Sequence, residues 1–267
     1  MEKAICYNIK HIAFSFKTNN DRRSVHGGEK GMRKFLFIWI GELISSIGSG
    51  MTAFALSVYV YQMTKSVSYV SLITLLAYMP TILLSPLGGI LADRYDRRLL
   101  MIIGDFCSGL GVVLIFWQIQ AGNRGILPIF IGVTISAVFV ALMEPAYRAT
   151  VTDLLKEEEY DKASGMVQLA GNARYLVSPA LAGLLLAAAD IRLILLIDIG
   201  TFFLTVSAVA IVRRTIKKPV KKAGKGIREE MKEGLEVITQ KKQVLSVVLL
   251  MTCICFLSVL CRHWQAR

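Results

Sequence analysis

Ionisable side chains inside long apolar runs are the residues of this sequence that could do chemistry. Glu42 and Arg174 each lie within such a run. A charge at membrane depth is costly unless it is paired or faces water, so both positions are functional candidates. We expect Glu42 to be the partner of Arg174. The pair could take up and release a proton as a cavity changes sides, or it could be a static ion pair between two helices; the sequence leaves both open.

Three further acidic residues in the apolar runs are predicted to have more limited roles. Asp105 follows Arg98 by two helical turns on the same face, which favours a structural tie between them near the membrane surface. Glu144 precedes Pro145 at a predicted helix end, where it either gates a cavity or is simply solvated. Asp198 is predicted to be a packing or capping partner and not a carrier.

Seven apolar blocks must position these side chains. The chain is 54% hydrophobic and 19% charged, and each block is long enough for a helix to cross the hydrocarbon core. Helix is the expected form because backbone groups in lipid must be satisfied within the segment. The blocks cover about residues 35–63, 67–92, 99–119, 126–147, 163–188, 191–212 and 243–261. The predicted fold class is therefore an all-α membrane protein, with a six-helix bundle over residues 32–212 and a seventh transmembrane helix.

The basic residues indicate how these helices are oriented. Most Lys and Arg residues precede the first block or fall in alternate connections, whereas the other connections hold only Lys65, Arg124 and Arg192. Positive residues concentrate on the cytoplasmic side of membrane proteins, so the N-terminus is predicted to be cytoplasmic. The same distribution explains the net charge of +12 without nucleic acid, because no separate polar domain carries it.

Polar segments flank and separate the blocks. Residues 1–31 contain no apolar core and are expected to be a non-native or disordered extension before a start at Met32. Residues 213–242 are predicted to form a cytoplasmic basic linker. Four apolar residues of the linker share one helical face: Ile227, Met231, Leu235 and Ile238. This face suits an interfacial helix on the cytoplasmic leaflet, and a flexible tether is the alternative.

Two helix-breaking prolines suggest an internal repeat. Pro86 and Pro179 each follow a serine and precede small residues, in the second and fifth blocks. In a three-plus-three inverted repeat these two helices correspond, and paired interruptions in them mark the transport machinery. Chance recurrence of such a short pattern is the alternative.

The connection between the second and third blocks carries a specific motif, GGILADRYDRR over residues 88–98. It resembles the signature loop of the major facilitator superfamily, in which a glycine, an Asp-Arg pair and two basic residues form a cytoplasmic turn. The residues that match the loop are Gly89, Asp93, Arg94, Arg97 and Arg98. Asp96 departs from the usual glycine, and this form is similar to the branch of bacterial macrolide-efflux proteins. The glycines would allow close helix packing, and the arginines could pair with Asp93 or with lipid phosphate.

The resemblance covers about residues 33–256 and implies two six-helix bundles that rock about a central cavity. The implied function is secondary active, proton-coupled efflux of amphipathic drugs such as macrolides across a bacterial plasma membrane. The implied partners are the lipid bilayer, a small amphipathic substrate, protons and a separately encoded C-terminal half. Four aromatic residues of the first block could contact such a drug or anchor the helix at the interface: Trp39, Phe54, Tyr59 and Tyr61.

The last residues depart from the family's pattern. Over residues 257–267 the chain ends on Arg262, His263, Trp264 and Arg267, where relatives continue as apolar helix. We expect a frameshift or premature stop that truncates the protein after the seventh helix, so that residues 243–267 hold this helix and an aberrant end. The alternative function is a non-transporting remnant or regulatory half-protein of the same family.

No enzyme, cofactor or metal site is expected. The three histidines lie outside the apolar blocks, which excludes a metalloprotease motif and a histidine-paired nucleophile in the membrane. The five cysteines lack the spacing of a zinc site. The pair Gly224-Lys225 lacks both the first glycine and the Ser/Thr of a phosphate loop.

Overall fold

Six long α-helices make up almost all of the part of the chain that the computed structural model describes, which is residues 29–122, 125–155, 157–214 and position 246. They are α1 (Glu29–Thr64), α2 (Val67–Arg94), α3 (Arg97–Gln120), α4 (Leu127–Leu154), α5 (Tyr160–Ala188) and α6 (Ile191–Arg214), and a 3₁₀ helix at Glu157–Glu159 precedes α5. All six are long and apolar enough to cross a membrane. The prediction of an all-α membrane fold with a six-helix bundle is confirmed.

Most of the predicted N-terminal extension, basic linker and seventh helix, and all of the aberrant C-terminus, lie outside the described residues. Residues 29–31, assigned to the extension, instead begin α1, and residues 213–214, assigned to the linker, end α6. Two helix boundaries were wrong, since α1 begins at Glu29 and not near residue 35, and α4 ends later than expected. The fourth helix, expected to end near residue 147, continues to Leu154. Its last turns are polar, but they are stabilised by protein contacts, among them the ion pair between Asp153 and Arg97 at 2.8 Å. Apolarity therefore did not mark the end of this helix.

The helices pack in a pattern with internal symmetry. Helix α1 packs mainly on α5 and α6, helix α4 mainly on α2 and α3, and α3 packs on α6. Exchanging α1 with α4, α2 with α5 and α3 with α6 reproduces the same set of pairs. This is the pattern expected of two three-helix repeats, and it supports the repeat suggested by the sequence.

The two prolines occupy equivalent places in this pattern but do not interrupt their helices. Pro86 stands 19 residues after Val67, the first residue of α2, and Pro179 stands 19 residues after Tyr160, the first of α5. Both helices continue through the proline, so the description of these residues as helix-breaking was wrong. A proline removes one backbone hydrogen bond, and membrane helices tolerate the loss because neighbouring groups satisfy the freed carbonyl.

Glycines bring α3 and α4 into close contact. A Cβ atom added to Gly111 would lie 2.5 Å from the carbonyl oxygen of Gly132, and one added to Gly132 would lie 2.5 Å from Cγ1 of Ile115. Between these positions the hydroxyls of Ser108 and Ser136 are hydrogen-bonded at 2.7 Å. Only a residue without a side chain fits such a backbone approach, which is how membrane helices gain packing energy.

The helices differ in how much of their surface this bundle covers. Helices α1, α3, α4 and α6 bury a third or more of their most apolar segment, whereas α2 buries 6% and α5 17%. The two least covered helices are the pair related by the internal symmetry.

Replacing Gly111 with alanine tests the contact between α3 and α4. The added methyl group meets a backbone carbonyl that cannot move aside, so we expect the free energy of unfolding to fall by about 1–3 kcal/mol. Gly171→Ala on α5 is the matched control, because nothing lies within 4 Å of a Cβ there. The control should be neutral or stabilising by up to about 1 kcal/mol. Thermal unfolding of the purified chain in detergent measures both, and equal effects would contradict the packing.

Candidate functional site

A central cavity of about 410 Å³ lies between the helices, and all six contribute to its wall. Its volume is in the range of pockets that hold small organic ligands. The charged residues that line it are Glu42, Asp105, Glu144, Arg174 and Asp198. The polar candidates that the sequence singled out separately within the apolar blocks therefore share one site.

Three of these residues form an acid cluster: Glu42 of α1, Asp105 of α3 and Glu144 of α4. Glu42 lies within electrostatic range of Glu144 and Arg174, and Asp105 lies within range of Glu42. Among the described residues, Oε2 of Glu42 and Oδ2 of Asp105 are buried and have no hydrogen-bond partner. Such unpartnered oxygens are costly in a protein interior, which makes the cluster a candidate site for a proton or a ligand.

Glu144 does not lie at a helix end. Because α4 continues to Leu154, Glu144 lies within the helix, beside the cavity, and its carboxylate pairs with Arg148 at 2.8 Å. The phenol of Tyr147, on the same helix, is buried near Glu42 and has no hydrogen-bond partner in the part of the chain that the structure describes.

Arg174 faces the cavity from the middle of α5. It lies within electrostatic range of both Glu42 and Asp198, but the structure shows no direct ion pair between its guanidinium and either of these two carboxylates. The expected pairing with Glu42 is therefore seen only as proximity in one cavity. Arg174 lies instead where it can act on two acidic groups from different helices.

The tie expected between Arg98 and Asp105 is not formed. The acidic residues that act on Arg98 are Asp96 and Asp153, whereas Asp105 faces Glu42. The spacing placed both residues on one face of α3, but two helical turns separate them along the axis. Each side chain therefore interacts with groups of neighbouring helices at its own level.

Asp198 of α6 packs against α1 and also lines the cavity. Its Oδ1 accepts a hydrogen bond of 3.1 Å from the hydroxyl of Ser49. The side chain is 1% exposed, so the interaction lies between the two helices.

Several cavity residues carried no sequence signal. The phenols of Tyr78 on α2 and Tyr175 on α5 approach each other beside Arg174, and both line the cavity. Of the four aromatic residues noted in the first block, only Phe54 lines it. Trp39 instead donates a 2.7 Å hydrogen bond to the carbonyl of Met166. The face of the helix on which a residue lies decides whether its side chain reaches the cavity. Which face borders the cavity depends on how the helices pack, and the sequence does not give that packing.

The signature loop links three helices at one end of the bundle. Arg97, at the start of α3, pairs with Asp93 of α2 at 3.2 Å and with Asp153 of α4 at 2.8 Å. It also donates hydrogen bonds of 3.1 Å to the carbonyls of Ala92 and Ala149. A single guanidinium thus joins α2, α3 and α4. The pairing of Arg97 with Asp93 was among the expectations for the loop, whereas the pairing with Asp153 was not.

Asp96, the residue that departs from the family's usual glycine, has two contacts of its own. Its Oδ1 accepts a 3.1 Å hydrogen bond from the backbone N–H of Arg98 and so caps the N-terminus of α3. Its Oδ2 accepts a 3.0 Å hydrogen bond from Arg213 of α6. The aspartate therefore extends the loop's contacts to a fourth helix.

The glycines of the loop differ in role. A Cβ at Gly88 would lie 2.9 Å from the carbonyl oxygen of Ala141 on α4, so Gly88 allows the close helix packing expected of the motif. Nothing lies within 4 Å of a Cβ at Gly89. The glycine that matches the family's pattern thus faces open space in this bundle.

No group of three or more His, Cys, Asp or Glu side chains suited to a metal ion occurs within the described ranges.

Arg97→Ala tests the loop. The substitution removes two ion pairs and leaves two carbonyls without this donor, and the ion pairs are partly exposed, so we expect a loss of about 1–2 kcal/mol in unfolding free energy. The control is Arg192→Ala, which removes a single exposed pair with Asp190 and should change stability by less than about 0.5 kcal/mol. Thermal unfolding measures both, and an Arg97→Ala midpoint equal to that of the control would refute the linking role.

Comparison with known proteins places this site in a family context. The Major Facilitator Superfamily profile matches residues 38–261. Macrolide efflux protein A of Streptococcus pyogenes is 30% identical over 225 residues, which are 82% of this chain and 54% of that protein. Macrolide efflux protein A of Enterococcus faecalis is 27% identical over 67% of this chain and 56% of that protein. The chain thus spans about half the length of these relatives.

More distant relatives include other exporters and a solved structure. The enterobactin exporter EntS of Shigella flexneri is 26% identical over 57% of this chain and 37% of that protein. The crystal structure of a bacterial homologue of the iron transporter ferroportin, in an outward-facing state, superposes with a TM-score of 0.61 at 18% identity. The match covers 73% of this chain and 53% of that one, and at this identity it shows the fold alone.

Proposed function

The chain belongs to the major facilitator superfamily, and on that premise we propose that it supplies one bundle of a transporter that exports small amphipathic molecules in exchange for protons. The observation that carries the proposal is the acid cluster, with its two buried and unpartnered carboxylate oxygens beside a cavity. Ionisable groups at membrane depth mark ion and substrate paths in membrane proteins.

The chemistry of the cavity supports an amphipathic substrate. Its wall combines aliphatic side chains with the phenols of Tyr78 and Tyr175, the ring of Phe54 and the acid cluster. A molecule with an apolar body and a basic amine would meet matching groups here, since the aromatic faces and carboxylates both attract a cation. The relatives named for macrolide and enterobactin export support efflux as the direction.

Proton exchange is proposed to use Glu42 and Asp105. Two carboxylates that act on each other in a medium of low dielectric repel, and a proton bound to one of them removes that repulsion. A cationic substrate entering the cavity would replace the proton as the counter-charge. Arg174, which acts on Glu42, would then favour the ionised state of that residue.

A second bundle is proposed to cover α2 and α5, whether it is encoded on the same chain or separately. These are the least covered helices, and they carry large exposed apolar side chains, among them Ile82, Leu83, Leu176 and Leu184. A cavity bordered by two such helices is suited to closure by a partner that rocks against them.

Cells that express the chain together with a C-terminal half of the same family test this function, with and without substitutions in the chain. Accumulation of a macrolide or a fluorescent amphipathic amine should be lower with the chain than with empty vector. Glu42→Gln and Arg174→Ala should each restore accumulation to the empty-vector level. Asp161→Asn is the matched control, because Asp161 is exposed in the first turn of α5, and it should export normally. If the unsubstituted chain equals empty vector at verified expression, the non-transporting half-protein is the better reading.

We also propose that the N-terminus and the signature loop face the cytoplasm. The helix ends and connections described at that end include Arg94, Arg97 and Arg98, whereas those at the other end include Lys65 and Arg192. Green fluorescent protein fused after residue 214 should fluoresce, and the same reporter fused after residue 121 should not. The reverse pattern would overturn the orientation.

A further inference from the structure

A carboxylate and three hydroxyls form a small polar pocket between α1 and α6, in the wall of the central cavity. The Asp198 pocket consists of Ser49 and Thr52 on α1 and Asp198 and Thr201 on α6. The Asp198 carboxylate faces all three hydroxyls, and Ser49, Thr52 and Asp198 also line the cavity. The pocket is separate from the acid cluster, which is built from α1, α3 and α4.

Two oxygens of the Asp198 pocket are left without partners. Oδ2 of Asp198 and Oγ1 of Thr52 are buried and make no hydrogen bond of ordinary geometry within the part of the chain that the structure describes, although the Thr52 hydroxyl lies near enough to the carboxylate to act on it. The two residues are 1% and 6% exposed. A carboxylate oxygen and a hydroxyl oxygen buried without partners in a membrane helix pair are costly, so a bound species is expected to satisfy them.

The hydrogen bonds that the pocket does make leave oxygen lone pairs available. The hydroxyl of Ser49 donates to Oδ1 of Asp198 at 3.1 Å, and the hydroxyl of Thr201 donates to the carbonyl oxygen of Asp198 at 2.7 Å. The hydroxyl hydrogens of Ser49 and Thr201 are therefore used, while their oxygens keep acceptor sites, as does the oxygen of Thr52. Apart from the hydroxyl hydrogen of Thr52, the free sites are those of acceptors, so they suit a cation.

From this arrangement we propose that the Asp198 pocket binds a sodium ion. Hard cations prefer oxygen ligands, and a set of one carboxylate and three hydroxyls provides oxygen alone. The single negative charge matches a monovalent ion. A divalent ion would retain an uncompensated charge, and the positive charge of Arg174, which also acts on Asp198, would raise that cost further.

Gly48 on α1 keeps a side chain away from the oxygens of the pocket. A Cβ at Gly48 would lie 2.8 Å from Oγ1 of Thr201 and 3.0 Å from Oδ1 of Asp198. Glycine at this position lets α1 and α6 approach without a methyl group standing among the ligands.

Sodium in this pocket would be linked to the acid cluster through Arg174. The guanidinium acts on both Asp198 and Glu42. A cation bound at Asp198 repels the guanidinium and neutralises one of its two acidic neighbours, which strengthens its effect on Glu42. This linkage deepens the proposed transport function, whereas sodium binding itself is independent of whether the chain transports anything.

Thermal unfolding of the purified full chain in sodium, potassium or choline chloride at equal ionic strength tests the proposal. A ligand that binds only the folded state raises the unfolding midpoint in proportion to its occupancy. We expect a saturable rise with sodium chloride that exceeds the rise with potassium or choline chloride. Equal midpoints in the three salts would overturn the proposal, and this result would leave the efflux measurement unaffected.

Variants locate the effect. Asp198→Asn and Thr52→Val should each abolish or strongly weaken the sodium-specific rise, and Thr52→Val preserves side-chain volume if Asp198→Asn does not fold. Asp105→Asn is the matched control, since it removes another buried cavity carboxylate that faces Glu42, and it should keep the full rise. Arg174→Gln should lower the sodium concentration for half-maximal effect several-fold, whereas Arg174→Lys should not. A sodium-specific rise that persists in both Asp198→Asn and Thr52→Val would place the ion elsewhere and refute the assignment.

Discussion

The cost of placing a charge in a low-dielectric membrane interior is the constraint on which this structure depends. Such a group must be paired or must face a polar cavity. Each of the five charged residues that line the central cavity lies within a long apolar segment of its helix. Their convergence places these charges in one cavity between the helices. It also concentrates unsatisfied oxygens, such as Oε2 of Glu42 and Oδ2 of Asp198, in one polar space.

Two kinds of contact hold the helices that enclose this space. Glycines allow backbone to approach backbone, as at Gly111 and Gly132 between α3 and α4, where dispersion and helix geometry supply the attraction that lipid does not. At one end, Arg97 and Asp96 join four helices through ion pairs and a helix cap. The first kind sets the spacing of the helices along their length, and the second sets their relative positions at one end.

The symmetric packing gives the bundle two unlike kinds of surface. Helices α1, α3, α4 and α6 bury much of their apolar segment, whereas α2 and α5 are largely uncovered and stand in equivalent positions of the repeat. Pro86 and Pro179 occupy the same register in these two helices. Two repeats related in this way present matched faces, α2 and α5, to a partner. The proposed second bundle would rock against these two helices.

The sequence by itself determined six of the helices. The thickness of the hydrocarbon core requires long apolar segments, and a helix satisfies the backbone hydrogen bonds of such a segment within lipid. It also determined that Glu42, Arg174 and Asp198 are exceptional, since their charge conflicts with their surroundings. Only the tertiary structure decided which groups meet: Asp105 faces Glu42 and not Arg98, and Asp198 faces Ser49. The physical reason is that an apolar run fixes a helix but leaves its rotation and depth free. Contacts between side chains of different helices are settled by that packing alone.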